Sequence, residues 1–149
     1  MPRLDISLAS VELVAETPPP LRVVHLDRVE PTDWYAVVAS AAEPCLLLDV
    51  HGLVGAVSAS FVRLFGLGSA EQVVGRGLLE DLLDLVDFSA LAGRLGAAEL
   101  QRIPPLQSLR SGGLARGLIR VRVGGVVRTV DAVTVPVQPD GSLTFFAEV

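Results

Sequence analysis

Hydrophobic positions along the chain change period several times, and each change marks an element. Cys45-Leu46-Leu47-Leu48 is a continuous apolar run that leads into Asp49, and a turn at His51-Gly52 separates it from a second run, Leu53 to Val57. Both have strand length and are bounded by turn residues. After Ser58 the period becomes helical, with Phe61, Leu64 and Phe65 at i, i+3 and i+4. Gly66 stops that helix, and Ser69 starts another short one that ends at Gly75. Leu78, Leu79, Leu82, Leu83 and Val86 then predict a helix with Glu80, Asp81 and Asp84 on its wet side. A further helix is predicted through Phe88, Leu91 and Leu95. Residues 98–114 hold Ile103-Pro104-Pro105 and Ser111-Gly112-Gly113 and read mainly as loop.

The C-terminal third alternates with a period of two. Arg116, Leu118, Arg120 and Arg122 oppose Ile119, Val121 and Val123 in the pleat. Gly124-Gly125 is a two-residue hairpin turn, Val126 to Val137 the return strand, and Ser142 to Val149 a last strand. With only the two glycines in the loop, facing residues sum to 249, so Arg120 faces Thr129 and Leu118 faces Asp131. A one-residue slip would turn Arg120 to the opposite, interior side. Upstream, Pro31-Thr32-Asp33 opens a helix from about 33 to 42, with Thr32 as the N-cap and Trp34, Val37, Val38 and Ala41 as its stripe. Residues 1–31 read as an N-terminal extension, in which Pro18-Pro19-Pro20 separates two short apolar pieces. Those pieces are edge strands or segments ordered against a partner.

The interval of Asp49, Gly52, Phe61, Leu64, Phe65, Gly66 and Gly75-Arg76 resembles the PAS domain family. That pattern runs from an apolar strand ending in Asp, through a Gly three residues on, to a helix closed by Gly and then Gly-Arg. The family's Asn near the end of the second strand is Ser58 here. The resemblance covers residues 32–149. It implies an α+β, PAS-like fold: a five-stranded antiparallel sheet with short helices on one face and an N-terminal helix and extension.

Composition narrows the chemistry. The chain has 149 residues, 50% of them hydrophobic, and a mean hydropathy of +0.53, yet no apolar run reaches the roughly 18–20 residues of a membrane span. Acids at Asp5 and Glu12 and the lack of an apolar segment argue against a signal peptide. A single cysteine fits a reducing compartment. The expectation is a soluble, cytoplasmic, bacterial protein without a membrane partner. All 12 basic residues are Arg, so lysine-dependent Schiff-base and P-loop chemistry is excluded. Residues 88–128 carry seven arginines against Glu99 alone, within a net charge of −5. No aromatics interleave with them, so they are read as solvated or paired with acids rather than as a nucleic-acid surface.

PAS domains hold different groups between sheet and helices, and each has a residue requirement. Light-sensing flavin members carry a reactive Cys where this chain reads Gly75-Arg76-Gly77-Leu78. Haem members place a His near residues 88–98, where there is none. His25 lies in the extension and His51 in a turn, and Cys45 begins a strand, which gives no metal-ligand spacing. No nucleophile stands with a base, and Glu80, Asp81, Asp84 and Asp87 read as a solvated helical face. Expected cofactors are therefore none, with an unknown small molecule left open.

The resulting expectation is a non-catalytic sensory or regulatory module in signal transduction. An apolar ligand would sit under Leu46, Leu48, Leu82, Leu91, Ile119, Val130 and Ala132. A homodimer interface would involve Trp34, Tyr35 and Val38, and packing of the helix on the sheet accounts for Trp34 equally well. The alternative is a protein–protein interaction module with a filled core and no ligand; a third reading is an enzyme of another α+β fold. No kinase, cyclase or DNA-binding sequence follows the last strand, so an output domain is expected on another chain or beyond this sequence.

Overall fold

A computed structural model of the protein describes residues 32–78, 82–137, 139 and 141–149. The extension 1–31, with His25, lies outside the described residues. The elements are α1 (Trp34–Ala39), β1 (Cys45–Asp49), β2 (Val54–Val57), α2 (Ala59–Leu64), α3 (Ala70–Val73), β3 (Leu85–Val86), α4 (Ala97–Leu100), α5 (Pro104–Ser111), β4 (Ala115–Val123), β5 (Val126–Val137) and β6 (Gly141–Glu148). They build one antiparallel sheet in the order β2-β1-β6-β5-β4-β3. The architecture is the expected PAS-like α+β one, with six strands in place of five.

The PAS-like pattern in the sequence has a local physical cause. Asp49 Oδ1 accepts from the backbone N–H of His51 and of Leu53, each at 2.9 Å, and Gly52 supplies the left-handed residue of that turn at φ +79°. Phe65 caps α2, Gly66 N–H reaches Arg63 O, and Leu67 N–H reaches Val62 O at 2.9 Å. This paired closure requires a left-handed residue at Gly66, whose φ is +65°. Gly75 and Arg76 then run along the outer edge of β2. Gly75 N–H donates to Val54 O, and Val54 N–H donates to Arg76 O.

The β4–β5 register is the predicted one, with Arg120 facing Thr129 and Leu118 facing Asp131, and both turn glycines have positive φ. The slipped register is thereby excluded. The N-cap of α1 is Asp33 rather than Thr32, its carboxylate accepting from Ala36 N–H at 3.2 Å, and the helix is shorter than predicted.

Two sequence expectations fail. The leucine-rich run after Leu78 gives no helix among its described residues, 78 and 82–86; Leu85 and Val86 instead pair with Val121 and Arg120. Leu82, Leu83, Leu85 and Val86 are all buried, so this part of the run has no continuous wet stripe and satisfies its backbone across the sheet. Nor is there a helix through Phe88, Leu91 and Leu95, where Asp87 N–H donates to Gly93 O in a turn. Conversely, residues 98–114 contain most of α4 and all of α5. Pro104 and Pro105 occupy the first turn of α5, where an absent N–H costs nothing, and Gly112 closes it in the left-handed conformation.

The sheet separates two apolar layers. On one face Leu46, Leu48, Ile119, Val121, Val130, Ala132 and Phe146 meet Phe61, Phe65, Val73 and Leu106 from the helices. On the other, Cys45, Leu47, Ala56 and Leu143 meet Val38 of α1, with Trp34, Val135 and Val137 at the margin. Strand alternation thus splits Leu46 and Leu48 from Cys45 and Leu47. Among the described residues, no helix is long and apolar enough to cross a membrane.

Candidate functional site

The interior between sheet and helices is where a ligand was expected. Leu46, Leu48, Leu82, Ile119, Val130 and Ala132 do come together there, in one buried cluster. Leu91 does not. It is 90% exposed, because the segment it belongs to is a surface turn and not a helix over the sheet. Its backbone is held from the strand side: Arg120 donates to Asp87 O and Ser89 O at 2.9 and 3.1 Å, and Arg122 donates to Ala92 O at 3.0 Å. Arg120 also stacks over Phe88 at 5.6 Å.

Three aromatic rings occupy the middle of this interior, and none of them figured among the expected ligand contacts. Phe61, Phe65 and Phe146 form a closed triangle with centroid distances of 4.8, 5.5 and 5.2 Å, distances at which tilted and edge-on pairs attract. All three are buried. The signal was available in the sequence as two aromatics at i and i+4 on α2 and one on the inward side of the last strand. Nearby, the hydroxyls of Thr134 and Thr144 bond each other at 2.7 Å, and Ser142 Oγ donates to Pro105 O. These buried polar groups are satisfied within the protein.

Ser58 stands where the family has Asn. Its hydroxyl accepts from Cys45 N–H at 3.0 Å and donates to Glu43 O at 2.7 Å, and it caps α2 by accepting from Phe61 N–H. Cys45 is a buried free thiol, and burial pushes its pKa up, opposed by the bond to Ser58. His51 is an exposed turn residue.

The expected interface residues separate. Val38 is only 1% exposed and faces the sheet, because it lies on the buried stripe of α1, so it presents no free surface. Trp34 is half-buried against the same layer. Tyr35 is 57% exposed, with its ring edge over Gly55, where a Cβ would come within 2.9 Å of it. Beyond α1, the same sheet face carries Leu118, 52% exposed, and Phe145, 42% exposed.

The charged groups read as a solvated helical face are partly structural. Asp84 binds Arg122 at 3.3 Å and Arg94 at 3.6 Å, and Asp87 holds the Ser89 hydroxyl and N–H, which depress its pKa. Arg116 binds Asp131 at 2.7 Å and Arg128 binds Glu148 at 3.2 Å.

No protein-family model matches the chain, and no curated protein matches it. Solved structures do. The PAS domain of a protein from Colwellia psychrerythraea superposes with a TM-score of 0.54 at 17% identity, covering 76% of this chain and 92% of that one. The photoactive yellow protein domain of the sensor histidine kinase Ppr from Rhodospirillum centenum gives 0.54 at 18% identity, covering 76% and 91%. The VqmA dimer of Vibrio cholerae, a DNA-binding receptor, gives 0.56 at 16% identity, covering 78% of this chain and 50% of that one. Strand order, the Asp49–Gly52 turn, the Gly66 closure and these superpositions agree: the described residues have a PAS-like fold.

Proposed function

We propose that the chain is a non-catalytic regulatory module that acts by self-association, with a filled interior and no resident ligand. The observation that supports this reading is the Phe61–Phe65–Phe146 triangle, which packs within the interior where a ligand was expected. The opposite sheet face, meanwhile, leaves Phe145 and Leu118 exposed on the two strands that flank β5. Exposed aromatic and aliphatic side chains on one sheet face suit an interface. The partner is a second copy of the chain, meeting that face and the exposed side of α1 through Tyr35, Val37, Leu118 and Phe145. A sensor histidine kinase and a dimeric DNA-binding receptor among the structural neighbours support a regulatory role.

The test is a native mass spectrum of the freshly purified protein, with its denatured mass as reference. A dimer at twice the bare polypeptide mass, reduced to monomer by Phe145→Glu, is the expected result. A reproducible excess mass lost on denaturation would replace this reading with a ligand-binding sensor. A bare monomer at micromolar concentration would end the self-association proposal.

A further inference from the structure

The two edges of the sheet are finished differently. The β2 edge is occupied by the chain's own Gly75–Arg76, which uses both the N–H and the C=O of Val54. At the other edge, β3 covers β4 only at Arg120 and Val121, and Arg122 N–H donates to Asp84 O. Toward its N-terminal end, β4 continues without a partner strand on that side among the described residues. In a two-residue hairpin the innermost pair, Val123 and Val126, exchanges hydrogen bonds, so alternate β4 residues address β5 and the others the edge. Arg116 and Leu118 belong to the edge set with Arg120 and Arg122. Their backbone N–H and C=O groups have no backbone partner there among the described residues.

This stretch forms one wall of an open groove of about 260 Å³, whose other wall is the α4–α5 elbow: Leu95, Glu99, Arg102, Ile103 and Pro104. The groove floor is apolar through Ile103 and Ile119. Its charge is not balanced. Glu99 is engaged in accepting from Gly96 N–H and Arg116 is bound to Asp131, while the Arg102 guanidinium has no partner among the described residues.

We infer that this groove is a strand-addition site for an extended acidic peptide of a partner protein. The peptide's main chain would pair with Arg116 and Leu118, and its carboxylates would face Arg102. Main-chain pairing with an exposed edge supplies affinity, and alternate side chains supply specificity. A second copy of the chain is a poor occupant: only Arg116 and Leu118 are open on this edge, and β4 holds no acidic residue, so β4–β4 pairing brings no carboxylate to Arg102. The inference does not depend on the self-association proposed above, which uses the sheet face and not its edge.

The probe is the capped pentapeptide Val-Glu-Val-Glu-Val, titrated into the ¹⁵N-labelled 149-residue chain. Expected are shifts and slowed hydrogen exchange at the amides of Arg116 and Leu118, and weaker binding with added salt. A version of the peptide N-methylated at alternate residues should bind roughly tenfold more weakly for each hydrogen bond lost. Arg102→Glu, at an exposed side chain, should also weaken binding, and Val-Lys-Val-Lys-Val should not bind. Protection of those two amides already in the free chain would overturn the inference. So would unchanged amides at millimolar peptide, or equal binding of the methylated or basic peptide.

Discussion

The Ser58 hydroxyl accepts the amide hydrogen of Cys45 at 3.0 Å, tying the end of β2 and the start of α2 to the first residue of β1. The same oxygen donates to Glu43 O and caps α2, so one buried side chain serves a strand, a loop and a helix. Ser58→Ala leaves the buried Cys45 N–H unpaired and removes the cap. Adding an orphaned buried donor to a lost N-cap gives a loss of about 2–4 kcal/mol. Urea midpoints followed by Trp34 fluorescence measure it, and an unchanged midpoint would show that water replaces the hydroxyl at no cost.

Phe146→Ala should cost about 3–5 kcal/mol, since the ring is buried against two others and cannot be replaced by collapse. The resulting cavity is apolar and should take up benzene. Benzene is therefore expected to raise the Tm of the variant while leaving the natural chain unmoved. A comparable rise in the natural chain would mean that its interior already has room for a ligand.

Gly141 lies so close to β1 that a Cβ would sit 2.5 Å from Leu48 O. That contact is with backbone, which cannot swing aside. Gly141→Ala is expected to destabilise by about 1–3 kcal/mol, as overpacked sites do. Gly125→Ala, in open space at positive φ, carries only backbone strain and is the control. Equal midpoints for the two variants would contradict the close approach.

Arg116 hydrogen-bonds to Asp131 and holds its carboxyl below the usual carboxylate range. The folded chain then binds fewer protons than the unfolded one near the unfolded pKa of about 3.9. The stabilisation is present above that value and is lost as pH falls through the folded pKa. Asp131→Asn should flatten the decline in stability below about pH 4 and should not change its slope at neutral pH. Part of the decline remains, because Asp87 is depressed in the same direction by Ser89. Denaturant midpoints between pH 2 and 7 decide it; parallel curves for both proteins would mean that the pair contributes nothing.

Several elements were determined by local chemistry and so were legible in the sequence alone. The Asp49–Gly52 turn needs a short carboxylate and a residue tolerant of positive φ, and the α2 closure needs Gly66 for the same reason. Gly124-Gly125 sets the β4–β5 register because a two-residue loop leaves only one pairing. What only the tertiary structure decided depends on distant partners. Leu82 to Val86 carries a helical pattern, but β4 offers it backbone bonds and Asp84 finds Arg122, so its last residues become a strand. Leu91 lost its expected place inside when that neighbourhood became a turn. Pro104 and Pro105 look like a break in isolation, yet they fit a helix start once α5 lies on the sheet. The meeting of Phe61, Phe65 and Phe146 in one triangle is likewise a tertiary fact. Periodicity assigns a side chain to a face, but only the packing of one face on another decides whether space is left between them.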